Sequence, residues 1–203
     1  MPSRLVVATK NKGKLAEMRE ELRALGFEPV SLRDLSHDIE IIEDAATFEG
    51  NAAKKALAVV AACGCAALAD DSGLEVDALG GAPGVLSARY GGDGLDDAGR
   101  TARLLEALAN VPEEERAARF HCALAFAEPG REPRIFHGVF EGRIGFTPAG
   151  SHGFGYDPVF VPNGHAITLA EIPPDEKRRL SHRAKALAAF AAWVKARPRY
   201  QQE

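Results

Sequence analysis

The chain has 203 residues, enough for one large domain or two small lobes around a substantial core. A hydrophobic share of 46% and a charged share of 27% exclude disorder as the main state. The formal net charge of -4, with no basic block, argues against a nucleic-acid backbone as the main partner, whereas a small anionic ligand needs only a few local cations.

In chain order, Arg4 to Ala8 reads as a short buried strand. Its apolar run is too short for a signal-peptide core, and no run approaches the roughly 20 residues of a membrane span, so the cytoplasm is the expected location. A polar turn, Thr9 to Lys14, leads into a helix marked by Leu15, Met18, Leu22 and Leu25 and stopped by Gly26. Phe27 to Leu32 reads as a second strand, which completes an α/β opening. An alanine- and lysine-rich helix is expected over Thr47 to Ala62, and a short apolar strand over Ala66 to Ala69 that ends at Asp70-Asp71-Ser72-Gly73. Gly80 to Gly84 is a loop, and Asp96 or Asp97 caps a helix reaching about Leu108. Alternation of Phe120, Cys122, Leu124 and Phe126 predicts a half-buried strand, paired antiparallel with a second extended run, Arg134 to Ile144. Gly150 to Asp157 is a glycine-rich loop, and the last helix starts near Ser181 and ends near Ala196. One mixed unit over residues 1–203, with two lobes and a ligand cleft between them, fits this order. Three cysteines, Cys63, Cys65 and Cys122, suit neither a disulfide framework nor a zinc site and read as small buried residues.

Several stretches carry possible chemistry, each with a plainer alternative. Thr9 to Lys14, between strand and helix, can aim backbone N–H groups at an anion, with lysines adding charge, or form a solvated turn. It is no Walker loop, because Ala8 and Leu15 stand where that motif needs Gly and Ser or Thr. Two carboxylates at the end of an apolar strand, Asp70 and Asp71, call for a hard divalent cation such as magnesium, or for a capped strand-end turn. Glu43 and Asp44 offer a further ligand or a helix-terminal charge cluster. Gly153 to Pro158 can stack an aromatic on a base and read its polar edge with Asp157, or bury core aromatics. Cations in a first helical turn, His182 and Arg183, oppose the helix dipole, and an anionic or carbonyl-bearing ligand would explain them. His37, His121, His137, His152 and His165 show no metal-ligand spacing and read as surface or core residues.

As a set, TKNKGK, TFEGNAAKKA, ADDSGLEVDALGGAPGVLSARY, SHGFGYDPVF and EKRRLSHRAKAL, spanning Thr9 to Leu187, resemble the Ham1-like family of inosine/xanthosine triphosphate pyrophosphatases. The resemblance implies an elongated two-lobed α/β fold with a central mixed sheet, a homodimer, and magnesium-dependent hydrolysis of ITP, dITP or XTP to the monophosphate and pyrophosphate. It assigns Asp71 as catalytic carboxylate and, with Glu43, as metal ligand. It assigns Thr9, Lys10, Asn11, Lys12, Gly13 and Lys14 to the triphosphate, with Lys55 near the phosphates and Ser72 on the substrate. Phe154, Gly155, Tyr156, Asp157, Lys177, His182 and Arg183 match its nucleotide-binding positions. Two departures stand out: Gly50 replaces a common Glu, whose role passes to Glu49 if to anything, and Ala45-Ala46 replaces a common Gly-containing pair. A pyrophosphatase for modified pyrimidine or standard nucleotides, and a nucleotide sensor without turnover, are the competing expectations.

Overall fold

The computed structural model describes residues 3–9, 11–35, 39 and 41–197. Chain order is β1 (Ser3–Val7), α1 (Lys12–Ala24), β2 (Phe27–Ser31), α2 (Phe48–Cys63), β3 (Ala66–Val76), α3 (Asp97–Ala107), β4 (Ala117–Ala127), β5 (Arg134–Ile144), β6 (Phe160–Pro162), α4 (Pro174–Leu180) and α5 (His182–Lys195). One mixed sheet has the order β2-β1-β3-β4-β5-β6, with β1 parallel to β2 and β3, and β5 antiparallel to β6. The α/β expectation therefore holds.

Strand β1 is buried on both faces, with Leu5, Val6 and Val7 fully covered, as expected of an interior parallel strand. Met18 and Leu22 of α1, with Leu25 that closes it, join a core with Phe27, Leu68, Leu124, Phe126, Phe136 and Phe190. Thr47 caps α2 by accepting from Gly50 N–H at 3.1 Å, and Gly64 closes it in the left-handed conformation at φ 65°.

Two expectations need correction, and one element was not anticipated. Strand β3 does not end at Ala69 but runs through the Asp-Asp-Ser-Gly motif to Val76, because those carboxylates find cationic partners in place. Strand β4 is half-buried only at its start; from Cys122 to Ala127 every residue is buried. The segment before the last helix forms a further helix, α4, with Pro174 in its first turn and Asp175 and Glu176 beside it. Ser181 then turns extended (φ -63°, ψ 160°) and separates α4 from α5.

The described residues divide into two compact units: Met1–Asp71, Cys122–Gly138 and Arg183–Glu203 form the first, and Ser72–His121 and Val139–His182 the second. The second has its own core of Leu74, Val76, Leu104, Phe120, Phe140, Ile144 and Phe160 among others. In it Arg116, 2% exposed, donates to the carbonyls of Leu108 (2.6 Å), Gly145 (2.8 Å) and Val111 (3.0 Å). Among the described residues no helix is long and apolar enough to cross a membrane.

Candidate active site

In the first unit, Asp70 and Asp71 lie inside a strand, where consecutive side chains point to opposite faces. They accordingly have different partners. Asp71 accepts from Lys55 Nζ at 2.6 Å and from Asn51 Nδ2 at 3.3 Å. Lys55 and Asn51 are one turn apart on α2, so they face the same strand. Lys55 Nζ also donates to Glu43 Oε1 at 2.7 Å. One buried ammonium thus gathers both carboxylates that the resemblance assigns to a metal. Burial opposes the charge on Lys55, but Asp71 and Glu43 keep it protonated, with its pKa above the ordinary value. Burial holds the Asp71 carboxyl above its ordinary value despite Lys55, and Glu43 adds to the rise.

Two carboxylates against one ammonium leave a surplus of negative charge, which by itself repels a triphosphate. The donors are oxygens, and Glu43, with a side chain 46% exposed, remains open to solvent. That set fits a hard divalent cation. Glu49, the one residue left to replace the missing Glu at position 50, is engaged with His137 at 3.4 Å.

Asp70 looks the other way. Its side chain is fully buried; one oxygen pairs with Lys14 Nζ, and the other accepts from Arg183 Nε at 2.9 Å and lies 3.2 Å from Cys122 Sγ. Arg183 Nη1 pairs with Glu17 Oε2. The carboxylates of Glu17 and Asp70 explain the cation in the first turn of α5. Burial opposes ionisation of Asp70, yet the charges of Arg183 and Lys14 override it and hold the carboxyl well below the usual range.

Asn11 shapes the loop before α1. Its side chain accepts from the N–H groups of Gly13 (2.8 Å) and Lys14 (3.2 Å), while Asn11 N–H donates to Thr9 Oγ1 at 3.1 Å. The expected anion-facing N–H groups of Gly13 and Lys14 are therefore engaged by the cap, and α1 begins at Lys12, inside the supposed turn. The first turn carries no acidic residue of its own. Lys10 and His37 lie outside the described residues.

The second unit assembles Phe154, Gly155, Tyr156, Asp157 and Lys177. Asp157 Oδ2 accepts from Lys177 Nζ at 2.6 Å and from Phe154 N–H at 2.8 Å, and the ammonium sits 4.8 Å from the Phe154 ring centre. Gly155 N–H donates to Asp97 Oδ2 at 2.7 Å, which fastens the loop to α3. Gly153 has φ +81°, and a Cβ there would collide with Asp157 Oδ2 and meet Lys177 Nζ at 2.9 Å. Tyr156 is 4% exposed and donates to Ser87 O at 2.8 Å, so it anchors the loop, and Phe154, half-buried, is the aromatic left for stacking. Burial pushes the Tyr156 hydroxyl up, far from titrating at neutral pH. His182 is buried and stacks on Phe120 with centroids 4.9 Å apart. Ser72, next to Asp71, is half-buried.

Sequence reasoning missed Asn51, Glu17 and Asp97. Asn51 carried a signal, a polar residue four before Lys55 on the alanine-rich face; Asp97 was read only as a possible helix cap, a role Asp96 takes, and its bond to Gly155, like that of Glu17 to Arg183, reaches far along the chain.

Comparison with known proteins identifies the family. The Ham1 family model matches residues 5–193. A dITP/XTP pyrophosphatase of Shouchella clausii is 50% identical, covering 92% of this chain and 93% of that protein. One of Oceanobacillus iheyensis is 43% identical over 94% of this chain and 98% of its own. Among solved structures, a HAM1 protein from Coxiella burnetii superposes with a TM-score of 0.89 at 42% identity, covering 96% of this chain and all (100%) of that one. On its sequence, its fold and the extent of these matches, the chain belongs to the Ham1 family.

Proposed function

We propose that the protein hydrolyses non-standard purine nucleoside triphosphates (ITP, dITP and XTP) to the monophosphate and pyrophosphate, with magnesium, in the cytoplasm and as a homodimer. The observation that carries this is the convergence of Glu43 and Asp71 on Lys55, an oxygen donor set with surplus negative charge. Glu43 and Asp71 would hold the metal, which when bound neutralises phosphate oxygens. Lys14 and Lys55 add fixed positive charge against the charge that builds on departing pyrophosphate. Asp71, its pKa raised by burial, suits orienting or deprotonating the attacking water.

In the second unit, the Lys177 ammonium, held by Asp157 under Phe154, offers a donor to an oxygen at C6 of a purine, where adenine carries an amino group. A donor facing a donor rejects adenine strongly. Ring stacking falls to Phe154.

Magnesium-dependent pyrophosphate release from ITP tests the reading. Asp71→Asn should abolish turnover with the fold retained by circular dichroism; full activity in that variant ends the assignment. A panel of ITP, XTP, ATP, GTP and CTP separates the purine reading from a pyrophosphatase of modified pyrimidine or standard nucleotides, and a flat profile rejects it. Tight ITP binding without turnover would mark a sensor. Sedimentation of the purified chain tests the homodimer.

A further inference from the structure

Within the second unit, the loop that carries Phe154 and Asp157 is anchored by its side chains except at Gly155. Tyr156 donates to Ser87 O, and Asp157 accepts from Lys177 and from Phe154 N–H. Gly155 has φ +63°, with open space where a Cβ would stand, so packing does not fix its backbone. Helix α3 does. Gly155 N–H donates to Asp97 Oδ2 at 2.7 Å, and Thr101 Oγ1 donates more weakly to Gly155 O at 3.5 Å. Asp97 and Thr101 are four residues apart on α3 and therefore share a face.

Asp97 is not the cap of its helix. That role belongs to Asp96, whose side chain accepts from Gly99 N–H at 2.8 Å. Asp97 Oδ1 instead accepts from Arg100 Nη2 at 2.6 Å, and Arg100 Nη1 donates to Leu95 O. One carboxylate oxygen is thus tied to its own helix, and the other is left for the loop. Burial opposes ionisation of Asp97, but Arg100 and Gly155 N–H hold its carboxyl below the ordinary value. A charged acceptor makes the stronger bond to a backbone N–H. Without it, a glycine free to turn would sit between the Phe154 ring and the Asp157–Lys177 pair.

We propose that Asp97, supported by Thr101, is a positioning residue for base recognition: through Gly155 it sets the Phe154 ring against Asp157 and Lys177, and so contributes to the preference for a 6-oxo purine over adenine. The inference rests on the reading above, in which Phe154, Asp157 and Lys177 meet the base.

Three variants test it, Asp97→Ala, Asp97→Asn and Asp96→Ala, with thermal unfolding as the check on folding. Asp96→Ala removes the cap of the same helix and leaves the bond to Gly155, so it reports what a loosened α3 does by itself. Calorimetry with IMP and AMP, which carry the base but no bond to cleave, and with magnesium pyrophosphate, which has no base, gives the affinities. Positioning predicts that Asp97→Ala lowers the IMP-to-AMP affinity ratio about fivefold and keeps pyrophosphate within roughly twofold of the parent. Asp97→Asn, whose amide oxygen still accepts from Gly155 N–H, and Asp96→Ala should keep the ratio within roughly twofold. An unchanged ratio in folded Asp97→Ala overturns the proposal. So does an equal fall in Asp96→Ala, an Asn variant as deficient as the Ala variant, or a pyrophosphate affinity that falls in step with IMP. Absence of ITP hydrolysis by the parent would strike the proposed function and leave this test standing, whereas a parent that binds IMP and AMP alike would strike the base reading itself.

Discussion

Position 50 shows how a single methyl group constrains a helix start. Glycine disfavours helix by about 1 kcal/mol relative to alanine, so propensity does not account for Gly50 in the first turn of α2. Packing does: a Cβ at 50 would lie 2.8 Å from the Cβ of Ala45 and 3.3 Å from Thr47 Oγ1. Thr47 is the cap, and Ala45 N–H donates to Asn51 Oδ1 at 2.9 Å, so neither neighbour is free to retreat. The two departures noted in the sequence, at 45–46 and at 50, are therefore one steric event. Gly50→Glu alone should cost roughly 1–3 kcal/mol through overpacking. Adding Ala45→Gly should return much of that loss, with a coupling energy above about 0.5 kcal/mol in a double-mutant cycle read by urea unfolding. Strictly additive costs would show that the contact is irrelevant.

At the scale of elements, the loop 153–157 depends on a residue that has no side chain. Gly153 adopts φ +81° and yields the space where Asp157 meets Lys177 on α4. Gly153→Ala adds left-handed strain of about 1–2 kcal/mol and drives a methyl group into that pair. It should lower unfolding free energy by at least that amount and raise KM for ITP more than it lowers kcat; an unchanged KM would dissociate the pair from substrate binding. The elements themselves were uneven in legibility. Helix α1 and strand β5 follow from local periodicity, and β5 keeps the limits read from sequence, Arg134 to Ile144. Strand β3 was read short because Asp and Gly are poor strand residues. Its continuation depends on Lys14, Lys55 and Arg183, which arrive from α1, α2 and α5 at separations no local pattern encodes. The same limit hid Arg116, whose carbonyl partners are spread from Leu108 to Gly145. Motif residues such as Asp71 and Arg183 were legible, whereas partners that orient them, Asn51 and Glu17, were not. Tyr156 was legible as an aromatic in a glycine-rich loop, but its burial against Ser87 depends on the whole second unit.

For the molecule as a whole, the two adjacent carboxylates on β3 contribute to stability with opposite signs. For Asp70, burial disfavours the charge but Arg183 and Lys14 outweigh it, so the folded pKa lies well below 3.8. Its contribution is complete above the unfolded value of 3.8 and is lost as pH falls from there toward the folded value. For Asp71, burial prevails over Lys55 and the folded pKa lies above 3.8. Its contribution is complete below 3.8 and is lost as pH rises through the folded value, so at neutral pH its charge is a liability that function requires. In metal-free protein, Asp70→Asn breaks a buried network and should cost about 3–5 kcal/mol at pH 7. That gap should stay constant while the pH is lowered toward 3.8, then narrow below it, where the parent also loses the charge. Asp71→Asn should leave stability at pH 7 undiminished, because Lys55 keeps Glu43 as its partner at 2.7 Å. Urea unfolding of both variants and the parent between pH 3 and pH 7 measures these differences. Equal losses in the two variants, or an Asp70→Asn gap that persists unchanged below 3.8, would refute the division of labour between the two faces of β3.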